Sequence, residues 1–118
     1  MATIRVSALI QNDTTGQTTG KSGVEITTAA ENEDSGSYDI TTTERNISFP
    51  ADIGTPGYLY LENMDATNYV QVGFATTVYP LRLVANDVAL IPLNTGETDL
   101  YLKADTATCR VTYKVLER

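Results

Sequence analysis

Apolar and polar residues alternate with a period of two almost from the first residue of the chain. Ala2, Ile4, Val6, Ala8 and Ile10 fall on one face and Thr3, Arg5 and Ser7 on the other, which predicts a strand over residues 2–10. Residues 11–23 contain no aliphatic side chain but three glycines, Gly16, Gly20 and Gly23, and read as a long flexible loop. Alternation resumes with Val24 and Ile26 against Glu25 and Thr27, giving a strand over 24–30. The polar stretch 31–36 then joins it, as a hairpin, to a strand near 37–43. A short strand at 46–49 stops at Pro50, and residues 51–57, dense in turn formers, mark a boundary between subregions.

From Gly57 onward the strand signal is denser. Tyr58-Leu59-Tyr60-Leu61 is apolar on both faces, as in a central strand covered on each side. Val70, Val72 and Phe74 alternate next, followed by Leu81, Leu83 and Ala85. Asn86-Asp87 then leads into Val88–Leu93, predicting a tight hairpin. Pro92 has no N–H for a ladder and marks an edge or bulged strand. Leu100–Ala104 reads as another strand, and in the last one Cys109, Val111, Tyr113 and Val115 share a face. Apolar spacing of the helical kind is missing throughout. The pattern predicts an all-β, single-domain β-sandwich of jelly-roll type, with eight to ten short antiparallel strands spanning residues 1–118. Within it, 1–23 form an N-terminal strand plus flexible loop, 24–56 a polar hairpin region and 57–117 a dense strand core.

Composition narrows the chemistry. Eight Lys or Arg against fifteen Asp or Glu give a formal charge of −7, with −5 of it in residues 1–56. Binding to nucleic acid or to an anionic membrane needs clustered positive charge, so neither is expected as a partner. The chain has no histidine, which excludes Ser-His-Asp triads, Cys–His pairs and His-bearing zinc sites. Cys109 stands alone on an apolar strand face, where a free thiol behaves as a small hydrophobe and no intrachain disulfide is possible. Residues 1–5 lack a signal-peptide pattern, and the longest apolar runs, 58–61 and 88–91, fall far short of the ~20 residues of a spanning helix. The expectation is a soluble chain made in the cytoplasm.

Three groups invite a chemical reading. Gly16–Ser22 is reminiscent of a phosphate-binding loop, but it has three residues between its glycines where that motif has four, and it precedes a strand rather than a helix. Glu31, Glu33 and Asp34 are near enough in sequence to share a cation, yet they lack the ordered Asp-x-Asn-x-Asp-Gly spacing of a calcium loop and sit among ordinary turn residues. Paired-carboxylate hydrolysis needs two acids held at a fixed separation, which spacing along the chain does not provide. The expectation is therefore a non-enzyme without metal or cofactor. Of the seven tyrosines, Tyr60, Tyr101 and Tyr113 lie in apolar strands and read as packing residues. Tyr58 and Tyr79, beside Gly57 and Pro80, are the candidates for a partner contact.

The second half carries an ordered set of motifs: Leu61-Glu62-Asn63-Met64-Asp65, with its Asn-x-Asp turn, then Tyr69-Val70-Gln71-Val72-Gly73 and Pro80-Leu81-Arg82-Leu83. Val88 to Leu93, Leu100 to Ala104 and Arg110 to Leu116 complete it. In this order and spacing, residues 57–117 resemble a recurrent module of tailed-bacteriophage virion proteins, which often have glycine and an acid where this chain has Asn86-Asp87. The resemblance implies a head decoration, or cement, protein on the outer capsid surface of the virion. Its implied partners are the major capsid protein and itself, most simply as a homotrimer at a capsid three-fold. Residues 2–23 would then form an arm that touches the capsid or a neighbour. The resemblance also admits a tail, neck or fibre component, or a receptor- or glycan-binding module.

Overall fold

A computed structural model describes residues 2–28 and 32–118 of the chain. The end of the strand expected over 24–30, and Glu31, lie outside the described residues. The chain divides into two compact units, Met1–Glu31 and Asn32–Arg118.

The first unit is a β-hairpin of β1 (Ala2–Asn12) and β2 (Gln17–Thr28). The segment expected to be a flexible loop is instead its turn and half of its second strand. Its glycines serve the hairpin geometry. Gly16 takes a positive φ of 73° at the turn, donating its N–H to the Asn12 carbonyl at 2.8 Å, while the Asn12 side chain accepts from the Thr14 and Thr15 N–H groups. Gly20 faces Leu9 so closely that a Cβ would lie 2.2 Å from the Ala8 carbonyl oxygen. A bulge between Val6 and Ala8 brings Ser7 Oγ to accept the Gly23 N–H at 2.7 Å. β2 therefore pairs with β1, and the hairpin expected between residues 24–30 and 37–43 does not form.

The second unit is an eight-stranded sandwich. β3 (Glu33–Ile40), β10 (Cys109–Glu117), β5 (Pro56–Asn63) and β8 (Val88–Pro92) make one sheet in that order. β4 (Arg45–Ser48), β9 (Asp99–Ala104), β6 (Val70–Gly73) and β7 (Leu81–Leu83) make the other. Every pairing is antiparallel. Within the sandwich, only β6 and β7 are consecutive strands paired with each other; the remaining connections cross between sheets, the connectivity of an eight-stranded jelly roll. Residues 49–55, with a 3-10 turn at Ala51–Ile53, form one such crossing. Asn86-Asp87 forms another, so the tight hairpin expected there is instead an arch from β7 to β8, with Asn86 at a positive φ of 62°.

Alternation sets the core. Leu59 and Leu61 of β5, Val111, Tyr113 and Val115 of β10, Val70 and Val72 of β6, and Leu100 and Leu102 of β9 point inward and pack as one cluster. β5 is central in its sheet, but only one of its faces is covered: Leu59 and Leu61 are fully buried, whereas Tyr60 is 37% exposed. β8 is an edge strand ending at Pro92, as its missing N–H requires. Tyr113 stacks on Tyr38 at 5.7 Å between centroids and donates its hydroxyl to Asp34.

Among the described residues, Asn63 is the one polar residue with a fully buried side chain. The two N–H groups of its Nδ2 are shared among the carbonyls of Asn68 (2.9 Å), Leu83 (3.1 Å) and Val84 (3.1 Å), and its Oδ1 accepts the Asp65 N–H at 3.0 Å. Its backbone N–H donates to Asp87. One amide thus fastens the β5–β6 turn to the β7–β8 arch. Replacing Asn63 with Ala strands these carbonyls in a buried site and is expected to cost about 3 kcal/mol, each orphaned group carrying a penalty of ~1–3 kcal/mol less what relaxation recovers. Urea unfolding of the variant against the parent protein measures it.

Candidate interaction surface

The outer face of the β3-β10-β5-β8 sheet is divided down its length. On the β3–β10 side, outward residues pair as a polar ladder: Arg110 with Asp39 at 3.1 Å, Lys114 with Glu33 at 3.3 Å, and Ser37 with Thr112 at 2.8 Å. On the β5–β8 side, the outward positions other than Glu62 are apolar or aromatic. Register sets Tyr58 opposite Pro92, Tyr60 opposite Leu90 and Glu62 opposite Val88. Val88 is 55% exposed and Leu90 36%. The Tyr60 hydroxyl donates to Glu62 at 3.2 Å, and burial followed by that carboxylate raises its pKa. The Arg118 guanidinium lies 6.0 Å from the Tyr58 ring. Lone apolar residues on a surface are ordinary, but neighbouring strands whose outward residues are all large and apolar save one make a patch of the kind that marks a contact.

Beside this patch, where β7 and β8 leave the sandwich without further strands, a cleft of about 190 Å³ opens toward the core. Leu61, Val72, Leu81, Ala89 and Ile91 supply its apolar wall, with Arg82 and Asp87 at its rim.

The two sequence-predicted contact residues are widely different in setting. Tyr58 joins the apolar patch. Tyr79 is engaged within the chain, donating to Glu44 Oε1 at 2.5 Å. The same carboxylate accepts the Thr77 N–H and the Thr76 hydroxyl, each at 2.7 Å, and so pins the turn between β6 and β7. These bonds, that from the Thr77 N–H foremost, hold the Glu44 carboxyl below its usual range, while burial and then Glu44 push Tyr79 up to about 12. Pattern reasoning passed over Glu44, because a lone acid between strands carries no signal of its partners.

The acidic group near residue 34 is split by the strand. Glu33 and Asp34 are consecutive residues of β3 and point to opposite faces, the first toward Lys114 and the second toward Tyr113, while Glu31 lies outside the described residues. Among the described residues, no group of three His, Cys, Asp or Glu side chains stands close enough to hold a metal ion. Cys109 is fully buried, with its thiol raised by burial and then by Asp65, and its Sγ donates to the Ala107 carbonyl at 3.4 Å. Tyr69 lies under the Arg82 guanidinium at 3.9 Å, and its hydrogen bond to Asp105 lowers that carboxyl and raises the phenol. No helix of the described residues is long and apolar enough to cross a membrane. The chain matches no family model, no curated protein and no solved structure.

The shifted carboxyls fix the pH response. Glu44, Asp65, Asp99 and Asp105 all have folded pKa values below their ordinary ones. The stability they contribute is fully present above the unfolded value, near 4 to 4.5, and is lost as pH falls through the lowered folded values. Tyr79 runs the other way: its contribution is complete below pH 10 and is lost as pH rises toward about 12. Thermal melting is expected to be flat from about pH 6 to 9 and to fall on both sides. Glu44→Gln weakens the acid limb and Tyr79→Phe the alkaline one. A melting temperature in Glu44→Gln that drops on acidification as steeply as in the parent would contradict the assignment.

Proposed function

We propose that this chain is a structural protein of a phage virion, a head decoration protein that binds the outer capsid surface and reinforces the shell. The single observation that carries the reading is the hairpin. None of the side chains described in β1 and β2 is buried, and Leu9 and Ile10 are 63% and 78% exposed. A two-stranded hairpin alone in water is marginal, so one 11 and 12 residues long in its strands calls for burial on a further surface. That is what an attachment arm needs.

Three further features support it. The jelly roll recurs in viral capsid and lectin domains, although a fold by itself leaves function open. Residues 57–117 resemble virion modules of tailed phages. The sandwich unit carries six Lys or Arg and twelve Asp or Glu, an acidity suited to a protein that must stay soluble at high copy number. Many weak contacts, repeated over a symmetric shell and tied together by self-association, gain strength through effective concentration. Reinforcement then follows from added contact area between capsid subunits.

The purified protein, mixed with DNA-filled heads that lack an outer protein, is expected to bind to saturation and to raise the temperature at which the heads release DNA. Cryo-electron microscopy should show it as repeated density on the shell. Density confined to tail, neck or fibre would transfer the protein to that part of the virion, and heads left bare at micromolar protein would sink the capsid reading.

A further inference from the structure

We infer that the β1–β2 hairpin of one copy docks its apolar face on the Tyr58, Tyr60, Val88 and Leu90 patch of a second copy. The inference deepens the self-association in the proposed function and rests on that part of it. Register defines the face offered: Ile4 stands opposite Ile26 and Val6 opposite Val24, so four β-branched side chains share one side of the hairpin. The receiving patch is also two strands wide and also built from cross-strand pairs, Tyr60 with Leu90 and Tyr58 with Pro92. Two β layers packed face to face at ~10 Å interdigitate such rows.

The chain thus carries two uncovered apolar faces of matching width, and charge favours joining them between copies over pairing sandwich with sandwich. The sandwich carries a formal −6, so two sandwiches brought together directly repel each other. The hairpin is neutral, with Arg5 and Lys21 against Asp13 and Glu25, and Arg5 and Glu25 already pair with each other at 2.6 Å. It is the part of the chain that approaches an acidic copy without electrostatic cost. The other half of the receiving sheet is closed to it, because the ladder of Arg110, Asp39, Lys114 and Glu33 would have to be desolvated. A contact in which hairpin meets sandwich is head-to-tail, so it continues from copy to copy, closing as a ring where the rotation per copy closes and running on as a filament where it does not.

The test uses the full chain. Val24→Cys and Leu90→Cys are prepared as separate proteins, mixed and oxidised; Cys109 is buried and stays out of the reaction. A disulfide joining one chain of each kind is expected, along with light scattering that shows an oligomer of the parent protein. Leu90→Glu and Val24→Lys should each be monomeric with an unchanged circular dichroism spectrum, and mixing the two should restore assembly. A monomeric parent protein overturns the inference. So does a Val24→Cys/Leu90→Cys double variant whose disulfide closes within one chain, or an oligomer indifferent to Leu90→Glu and Val24→Lys. A chain that assembles as described yet leaves heads bare removes only the capsid reading, whereas a Leu90→Glu protein that coats heads and assembles like the parent removes only this inference.

Discussion

The buried amide of Asn63 is the contact through which the two sheets of the sandwich hold their edges in place. Its two amide N–H groups, shared among three carbonyls, and its backbone N–H tie the end of β5 to the arch that carries the chain from β7 in one sheet to β8 in the other. A jelly roll depends on such crossings, since its strands find their partners far along the chain, and a crossing without a fastening leaves its edge strands free to drift. Burying an amide is costly unless every polar atom is satisfied, and here each one is. Because β8 leaves this arch directly, the placing of Val88 and Leu90 beside Tyr60 follows from the same amide.

With β8 fixed, one sheet presents two different outer surfaces. The β3–β10 half spends its charges on itself, while the β5–β8 half keeps large apolar residues in contact with water. A second surface with the same need is the hairpin, whose strands satisfy each other's backbone but bury almost nothing. The proposed docking joins these two requirements, and a neutral hairpin meets the acidic sandwich of a second copy without the repulsion that two sandwiches would meet. In the proposed role, the charge of the sandwich resists non-specific association between copies.

Strand positions and core faces were legible because burial on one face imposes a two-residue period. Cys109, Val111, Tyr113 and Val115 were read inward and are inward, and Pro92 was read at an edge and stands there. The same rule accounts for the misreading of residues 11–23. Neither face of β2 near Gln17–Gly20 is buried, so no alternation is required, and glycines that serve a turn and a close strand crossing look like those of a loop. Tyr58-Leu59-Tyr60-Leu61 misled in the opposite sense: an apolar pair on an outer face reads as core until the sheet shows that nothing covers it. Of the contact candidates, Tyr58 belongs to that uncovered face, while Tyr79 is occupied by Glu44.

By itself, then, the sequence determined an all-β chain, most of the residues of its core and the absence of histidine chemistry, because periodicity, β-branching and the missing histidine are properties of residue order and type. Only the tertiary structure decided which strand pairs with which. Period-two alternation is indifferent to the partner, so β2 could as well have joined β3 and β7 could have joined β8. The arch at Asn86, the buried amide of Asn63 and the bulge at Ser7 select among these pairings through contacts between residues distant in the chain, and the apolar patch exists only because they do.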